Sequence, residues 1–384
     1  MTAGTETASL SLPPVSGAWR EGDPPGRRQW VTLDRPLPLE AGGTLPEVRL
    51  AYETWGRLAP DASNAVLVLH ALTGDGHLAG PIEPGHPTPG WWDGLVGPGR
   101  PLDTDRWFIV VPNVLGGCQG STGPSSRRPD GRPWGGSFPY VTQRDMVIAE
   151  AQLADALGID RWALVTGGSM GGMRALEWAV SYPERTSALL LLATTAAASA
   201  EQIALAAVQL HAIRADPGWR GGDYYDAAPG HGPHAGLGTA RRLAHITYRS
   251  EPELQARFGR RPQDGEDPWR SGRYQVESYL DHHAGKLVGR FDAGSYVVLT
   301  EAMNGHDAGR GRGGTAAALR RVTARTLVAG VDSDRLYPLS QQAELASGIP
   351  GADRLRVIES RSGHDGFLTE TDQVGALVRE LLDG

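Results

Sequence analysis

A serine set between glycines is the strongest chemical signal in this sequence. Segment 167–172 reads GGSMGG, which fits the pattern G-x-S-x-G, and it stands where an apolar strand-like run ends and a helical pattern begins. On so sharp a turn glycines are needed two residues before and two residues after the serine, because a β-carbon there would collide with the adjoining strand or helix. The pattern predicts that Ser169 presents its hydroxyl as a nucleophile at a helix N-terminus. The alternative is a glycine-rich turn with a solvated serine.

A serine hydroxyl is a poor nucleophile without a base, so a histidine must lie within hydrogen-bond reach and a carboxylate must fix its tautomer. The sequence has 11 histidines. Where this serine turn occurs, the chain order is serine, acid, histidine. That order favours His364, which lies in a glycine-flanked loop directly after the last strand-like run. His306 follows a helical pattern and precedes any strand-end acid, so we expect a structural or lid role for it.

The acid is expected just beyond the penultimate strand-like run, 326–331, where the sequence offers Asp332 and Asp334. Pro338 would end the turn and begin the next helix, so that the Asp334 carboxylate would be held at the end of the strand. Asp332 would then shape the turn or cap a helix. Asp334 is the preferred acid, although spacing alone leaves both open.

Acyl transfer also needs hydrogen-bond donors for the oxyanion that forms on the reacting carbonyl. The backbone N–H of the residue after the nucleophile, Met170, is the first expected donor. The second is expected from the loop 70–74, which reads HALTG and directly follows an early strand-like run. Leu72 is the candidate, through its backbone N–H.

Short apolar, β-rich runs bounded by turn residues must position these groups. They occur at 65–70, 107–111, 162–166, 188–193, 326–331 and 355–359, and they read as buried parallel strands. Helical patterns such as 144–157 and 170–181 lie between several of them. The alternation predicts the α/β class and, with the serine turn, an α/β-hydrolase fold with a mostly parallel central sheet flanked by helices. Runs 29–33 and 47–55 alternate like antiparallel strands and predict a hairpin at the sheet edge.

The strand rhythm stops after Ala193 and resumes at Thr326, and the interval is helical in period. It reads as an inserted lid that covers the active site. We therefore expect three parts: a disordered N-terminal arm of residues 1–20, an α/β-hydrolase core of residues 21–194 and 322–384, and a helical lid insertion of residues 195–321.

Composition excludes several other classes of protein. The formal net charge of −7 gives no basic field for nucleic acid or an anionic membrane. The single cysteine, Cys118, excludes an intramolecular disulfide and a cysteine-rich metal site, which fits a reducing cytoplasm. No apolar run has the roughly 18 to 20 residues of a membrane span. We expect a cytoplasmic protein with no membrane or nucleic-acid partner.

Six segments indicate which family of this fold the sequence resembles. They are 70–74 (HALTG), 116–126 (GGCQGSTGPSS), 167–172 (GGSMGG), 247–250 (TYRS), 334–338 (DRLYP) and 363–367 (GHDGF). Together they resemble the homoserine O-acetyltransferase family of methionine biosynthesis, and the likeness runs from about residue 30 to the C-terminus.

The resemblance implies ping-pong chemistry without a metal or other cofactor, with acetyl-CoA as co-substrate. Ser169 would take the acetyl group and pass it to the γ-hydroxyl of L-homoserine, with His364 as base and Asp334 orienting it. Met170 and Leu72 would stabilise the oxyanion. The resemblance also implies a homodimer built through the lids.

The same resemblance implies which residues hold an amino-acid acceptor. The family uses a lid arginine for the carboxylate and the aspartate after the catalytic histidine for the ammonium group, which match Arg241 and Asp365. The planar fork of an arginine suits bidentate carboxylate recognition. The neighbouring Arg242 points in another direction on a helix and remains the alternative. Asp365 could equally stabilise its own loop.

Alternatives remain within the family pattern and beyond it. The donor could be succinyl-CoA or the acceptor L-serine, because a few pocket residues can switch either one. A second class is a serine esterase or hydrolase, in which water takes the acyl group. A non-catalytic binding module ranks last because all three triad residues are present.

Overall fold

The computed structural model describes residues 12–384, and a central β-sheet organises them. Ten strands are present in these residues: β1 (Gln29–Thr32), β2 (Leu37–Pro38), β3 (Thr44–Leu45), β4 (Arg49–Trp55), β5 (Ala65–Leu69), β6 (Phe108–Pro112), β7 (Leu164–Gly168), β8 (Ala188–Leu192), β9 (Arg325–Val331) and β10 (Arg356–Ile358). Eight of them form one sheet in the order β1-β4-β6-β5-β7-β8-β9-β10, and β2 and β3 form a separate hairpin. The strands from β5 to β10 are parallel, whereas β1 and β4 are antiparallel at one edge.

Helices cover both faces of the sheet and fill the long interval between β8 and β9. They are α1 (Gln143–Ala156), α2 (Met170–Ser181), α3 (Ala200–Arg214), α4 (His234–Tyr248), α5 (Glu251–Arg257), α6 (Gln275–Val288), α7 (Ala293–Asn304), α8 (Thr315–Leu319), α9 (Leu339–Gly348), α10 (Gly366–Thr369) and α11 (Thr371–Asp383). Helices α3 to α8 all lie within the interval expected to be an inserted lid, and we call them the lid helices. The division into core and lid stays a prediction.

The parallel strands are apolar along their whole length because both faces of the sheet are covered. Every residue of β5, β7 and β8 is buried. Alternate residues point to opposite faces, so that Leu67 and Leu69 join one apolar core while Val66 and Val68 join the other. Each fully buried side chain of this kind contributes about 1.5–3 kcal/mol. The sheet is therefore a rigid base for the loops that leave its edge.

The parallel strands place the predicted chemical groups at one edge of the sheet. The loop 70–75 follows β5, Ser169 follows β7, Asp334 lies three residues beyond β9, and His364 lies six residues beyond β10. The carboxyl ends of parallel strands meet at the same edge, which explains how residues almost 300 positions apart come together.

The N-terminal segment differs from the expected disordered arm. Residues 1–11 of that arm lie outside the described residues. Val15 and Ala18 are buried, and the Ser16 hydroxyl donates to Asp292 Oδ1 at 2.7 Å. The backbone N–H of Gly17 donates to the carbonyl of Phe291 at 3.1 Å. The expectation is wrong for residues 15–18 because they are held by a lid segment that is distant in sequence.

None of the described helices combines the length and the apolar character needed to cross a lipid bilayer.

Candidate active site

Ser169 occupies a strained turn between β7 and α2. Its backbone has φ 57° and ψ −123°, a conformation that costs a non-glycine residue about 1–3 kcal/mol. The turn is held because the Ser169 N–H donates to the Leu192 carbonyl at 3.0 Å. A β-carbon on Gly171 would lie 2.0 Å from the carbonyl oxygen of Leu69, so only glycine fits there. The predicted serine turn is present, and it holds the serine at the N-terminus of α2.

His364 and Asp334 form a direct pair at the same edge of the sheet. His364 Nδ1 donates to Asp334 Oδ2 at 2.6 Å, and both side chains are buried. The other carboxylate oxygen, Oδ1, accepts the backbone N–H groups of Leu336 and Tyr337, each at 2.9 Å. These bonds fix the carboxylate at the strand end and leave Nε2 as the free nitrogen of the imidazole ring.

Asp332, the alternative acid, has another partner. Its Oδ1 accepts the backbone N–H of Ser360 at 3.0 Å, which links the loops after β9 and β10. The structure therefore brings Asp334, and not Asp332, to His364. The turn-forming role expected for Asp332 matches this contact.

The pKa of His364 is set by two opposing effects. Burial lowers it, because a buried imidazolium loses hydration. The carboxylate of Asp334 raises it by charge and by hydrogen bonding, and the net result is a pKa above the ordinary value of 6.5. A buried base with a raised pKa is typical of a group that takes up and releases a proton during a reaction.

One cavity joins these groups to the predicted acceptor residues. Its volume is about 190 Å³, and it is lined by Ser169, His364, Leu72, Arg241 and Asp365 among others. The cavity lies between the sheet edge and the lid helices. All the predicted site residues line it except Asp334, which reaches it through His364, and Met170, whose side chain is buried below Ser169.

The loop after β5 has the geometry of an oxyanion donor. The Ala71 carbonyl accepts two hydrogen bonds, from the Gly74 N–H at 2.9 Å and from His70 Nδ1 at 2.8 Å. The N–H of Leu72 belongs to the same trans peptide and points the opposite way. Within residues 12–384 neither this N–H nor that of Met170 donates a hydrogen bond to the protein. Both remain available to a ligand.

The ring of His70 is held in one tautomer. Its Nε2 accepts the backbone N–H of Val114 at 3.1 Å, so Nδ1 carries the proton that it donates to Ala71. Burial lowers the pKa of His70 to about 3, and the nearby Arg174 guanidinium acts in the same direction. His70 is a neutral, fixed part of the loop and not a second base.

Arg241 and Arg242 point in different directions from α4. Arg241 lines the cavity, where its Nη1 donates to Thr73 Oγ1 at 3.2 Å and its guanidinium carbon lies 5.8 Å from the ring centre of Tyr248. Arg242 pairs with Asp281 at 2.8 Å on a partly exposed face of the lid. The Nε of Arg241 is buried without a hydrogen-bond partner among the described residues. Arg241 is therefore the arginine with free hydrogen-bonding capacity in the site.

Asp365 lines the same cavity on the side of His364. Its Oδ2 lies 3.2 Å from Nη2 of Arg249, a lid residue. Burial raises the pKa of the Asp365 carboxyl above its ordinary value, although Arg249 opposes this rise. The cavity thus presents an arginine and a carboxylate, which is the charge pattern that a zwitterionic amino acid requires.

Comparison with known proteins agrees with this arrangement. The α/beta hydrolase fold family matches residues 64–371. The homoserine O-acetyltransferase of Thermobifida fusca (strain YX) is 72% identical over 369 residues, which cover 96% of this chain and 97% of that protein. The chain belongs to the homoserine O-acetyltransferase family. The predicted family, fold class and acyltransferase activity are thereby confirmed.

Solved structures of this family and of related esterases share the fold. The homoserine O-acetyltransferase from Bacillus anthracis has a TM-score of 0.83 and 27% identity, and the alignment covers 93% of this chain and 98% of that one. An acetylester hydrolase from Corynebacterium glutamicum has a TM-score of 0.79, also with 27% identity, over 94% of this chain and 97% of that one. Transferases and esterases thus share one architecture, and it is the 72% identity to the Thermobifida fusca protein that indicates the transferase family.

Three residues that line the cavity beside Ser169 and His364 were not predicted as site residues from the sequence. Tyr248, which belongs to the TYRS segment, lies beneath Arg241. Asp75 and Arg290 also line the cavity, and Arg290 Nη1 donates to the carbonyl of Thr73 at 2.9 Å. No spacing pattern in the sequence points to Arg290, because it lies between two lid helices. Only the fold brings it to the loop after β5.

Cys118 and His306, which are not expected to be catalytic, lie away from Ser169 and His364. Cys118 is buried, and burial raises the pKa of its thiol well above the ordinary value, so it is unreactive. His306 is buried, and its Nε2 contacts the carbonyl of Thr195 at 3.1 Å. The structural role expected for His306 matches this contact.

One group in residues 12–384 resembles a set of metal ligands, formed by Glu53, His77 and His86. All three side chains are buried, and the two imidazole rings are stacked with centres 3.8 Å apart. The lone pair of His86 Nε2 already accepts the backbone N–H of Arg27 at 3.1 Å. Parallel rings also direct their lone pairs side by side and not toward one point. The group therefore fits a buried ion pair better than a metal site.

Proposed function

We propose that this protein transfers the acetyl group of acetyl-CoA to the γ-hydroxyl of L-homoserine through an acyl-Ser169 intermediate. One observation carries the proposal: the strained Ser169 and His364, which is paired with Asp334, line the same cavity as Arg241 and Asp365. The name of the 72% identical relative supports both the donor group and the acceptor. Ser169, His364 and Asp334 are the proposed catalytic triad.

In the first half-reaction His364 Nε2 takes the proton from Ser169 Oγ, and Oγ attacks the thioester carbonyl. The resulting oxyanion accepts hydrogen bonds from the backbone N–H groups of Leu72 and Met170. Donors held in place before the reaction are worth roughly 100- to 1,000-fold each in rate. The intermediate then collapses, the C–S bond breaks, and the CoA thiolate leaves with the proton from His364.

In the second half-reaction the acceptor hydroxyl replaces the thiol. His364 takes the proton of the γ-hydroxyl, whose oxygen attacks the acyl carbon of acetyl-Ser169. The second oxyanion uses the same two N–H groups, and its collapse returns the proton to Ser169 Oγ. Asp334 stays ionised throughout and stabilises the imidazolium in both steps. These groups supply the base and the oxyanion donors, so we propose that no metal or other cofactor takes part.

The acceptor is proposed to bind through its two charged groups. Arg241 would hold the carboxylate with its free N–H groups, and Asp365 would hold the ammonium group. Both line a cavity between the sheet edge and the lid helices, where charge-assisted hydrogen bonds are stronger than in bulk water. A bound amino acid also fills the space that a hydrolytic water would need, which favours transfer over hydrolysis.

The experiment that tests the proposal is a free-thiol assay of CoA release. Purified protein is given acetyl-CoA or succinyl-CoA, each with L-homoserine, L-serine or no acceptor, and Ser169→Ala is the control. We expect release that requires acetyl-CoA and homoserine and disappears in the control. Preference for succinyl-CoA or serine would keep the mechanism and change the substrate. Equal release without an acceptor would replace the transferase by a hydrolase.

We also propose a cytoplasmic homodimer that associates through the lids. Support comes from apolar side chains exposed on two lid helices: Ile203 and Val208 on α3 are 40% and 60% exposed, and Ile246 on α4 is 40% exposed. Exposed apolar groups on neighbouring helices are typical of an association surface. Analytical ultracentrifugation of the Val208→Asp variant beside the unaltered protein tests this, and the variant is expected to be monomeric.

A further inference from the structure

Two arginines from the lid donate hydrogen bonds to the loop that carries Leu72. Arg241 Nη1 donates to the side-chain hydroxyl of Thr73 at 3.2 Å, and Arg290 Nη1 donates to the backbone carbonyl of Thr73 at 2.9 Å. The two contacts differ in kind. A bond to the hydroxyl holds only a rotatable side chain, whereas a bond to the carbonyl fixes the Thr73–Gly74 peptide. The N–H of that peptide donates to the Ala71 carbonyl at 2.9 Å, and Ala71 C=O shares its peptide plane with the Leu72 N–H.

Arg290 is itself held firmly in place. It follows α6 by two residues, and its own carbonyl accepts the side-chain amide of Gln119 at 2.9 Å. Its guanidinium is largely buried, which lowers its pKa from the ordinary value, and Asp75 opposes this fall by its negative charge. An arginine remains charged under such conditions, so Arg290 stays a strong donor to Thr73.

The core provides a matching contact on the other side of Leu72. Arg174, on α2, is buried, and its Nη2 donates to the carbonyl of His70 at 2.7 Å while its Nη1 pairs with Glu150 at 2.6 Å. The carbonyls of residues 70 and 73 are thus each bound by an arginine, one from the core and one from the lid. The peptide that ends in the Leu72 N–H lies between these two fixed points.

We propose that Arg290 is a positioning residue for the oxyanion hole: it holds the Thr73 carbonyl so that the Leu72 N–H is aimed at the reacting carbonyl. Since Arg290 belongs to the lid, the oxyanion hole is complete only when the lid is packed against the core. Arg241 cannot replace it, because binding of the acceptor carboxylate engages Arg241. The inference rests on the proposed acyl-serine chemistry but not on the identity of donor or acceptor.

The test measures acylation of Ser169 alone. The chromogenic ester 4-nitrophenyl acetate acylates an activated serine without CoA or an amino acid, and the nitrophenolate burst gives the acylation rate. Variants are Arg290→Met and Arg290→Lys, and Arg242→Met is the matched control from the exposed face of the lid. We expect Arg290→Met to acylate about 10- to 100-fold more slowly, with Arg290→Lys in between and the control unchanged.

A second readout separates positioning from acceptor binding. We expect the KM for homoserine to change less than about threefold in Arg290→Met, while it rises strongly in Arg241→Met. A normal burst with a raised homoserine KM would overturn the proposal and make Arg290 an acceptor ligand.

Folding is checked by circular dichroism and thermal unfolding. If Arg290→Met does not fold, the proposal is tested with Arg290→Lys, and Arg242→Lys is then the matched control. Equal burst rates in these two lysine variants would overturn the proposal. A burst that depends on Arg290 in a protein that fails the CoA-release assay would reject the proposed substrates and leave this inference standing.

Discussion

In the proposed mechanism, the charge next to His364 sets the pH at which Ser169 becomes reactive. The imidazole must be neutral to accept the serine proton, so the acylation rate falls as the pH drops through the pKa of His364. Asp334 raises that pKa above 6.5, so we expect the acid limb of kcat/KM to have its midpoint above pH 6.5. A pH profile of the unaltered protein checks this, and a midpoint below 6.5 would contradict the pairing with Asp334.

Asp334→Asn tests the same contact by removing the charge and keeping the shape. The asparagine can stabilise the wrong tautomer of His364 and no longer stabilises the imidazolium, so we expect kcat to fall about 1,000- to 10,000-fold. The matched control is Asp332→Asn, because Asp332 lies two residues away and its carboxylate accepts the Ser360 N–H. Equal losses in the two variants would mean that the acid has been assigned wrongly.

Two adjacent arginines give a sharp test of the acceptor site. Arg241→Lys replaces a planar fork by a single ammonium group, which cannot make a bidentate contact with a carboxylate. We expect the KM for homoserine to rise about 10- to 100-fold, which corresponds to the loss of roughly one charged hydrogen bond. Arg242→Lys should leave the KM unchanged because its pair with Asp281 is remote from the cavity. Steady-state kinetics with varied homoserine distinguish the two outcomes.

At the scale of secondary-structure elements, the sequence predicted what depends on local pattern. The six parallel strands and the helices α1 and α2 follow apolar periodicity, and the observed bounds lie within a few residues of the predicted ones. Glycine spacing located the Ser169 turn, because only glycine tolerates the contacts made there. Asp334 and His364 were located by strand order, since the loops of parallel strands share one edge.

What the sequence did not predict depends on contacts between distant segments. The β2–β3 hairpin is only two residues wide on each side and has no periodicity to detect. Residues 15–18 look like a disordered arm because their partners lie about 275 positions away. Arg290 carries no motif, and only the packing of the lid on the core brings it into the cavity. Contacts between distant segments, unlike the periodicity of a helix or strand, produce no pattern among neighbouring residues of the sequence.

Replacement by alanine is predicted to have opposite effects on stability at Gly171, at the junction between β7 and α2, and at Gly285 in α6. A β-carbon on Gly171 would lie 2.0 Å from the Leu69 carbonyl, and the backbone of a central strand cannot move away. We expect Gly171→Ala to lose at least about 3 kcal/mol of unfolding free energy. Gly285 lies in α6 with no atom near its β-carbon position, so Gly285→Ala should gain about 0.5–1 kcal/mol. Urea unfolding of both variants measures the difference, and similar behaviour would contradict the described packing.

At the scale of the whole molecule, Asp292 ties three parts of the chain together. Its carboxylate accepts hydrogen bonds from the hydroxyls of Ser16, Tyr224 and Tyr225 and from the N–H of Ser295. The N-terminal segment, the loop before α4 and the start of α7 therefore meet at one buried charge. Arg290 lies two residues before Asp292, so this cluster also fixes the arginine that contacts the loop of Leu72.

This connection predicts that the N-terminal segment supports both stability and acylation. In the double variant Val15→Ala and Ser16→Ala, the core loses buried methyl groups and Asp292 loses one charged hydrogen bond. We expect the free energy of unfolding, measured in urea, to fall by about 2–4 kcal/mol. The control is Leu12→Ala, because Leu12 is 65% exposed and its removal should have little effect on stability.

The same double variant should also acylate more slowly, because the segment 290–292 would be less firmly held. We expect the 4-nitrophenyl acetate burst to slow about two- to tenfold, which corresponds to a rise of around 1 kcal/mol in the activation free energy. A loss of stability with an unchanged burst rate would show that the cluster at Asp292 stabilises the lid without positioning Arg290.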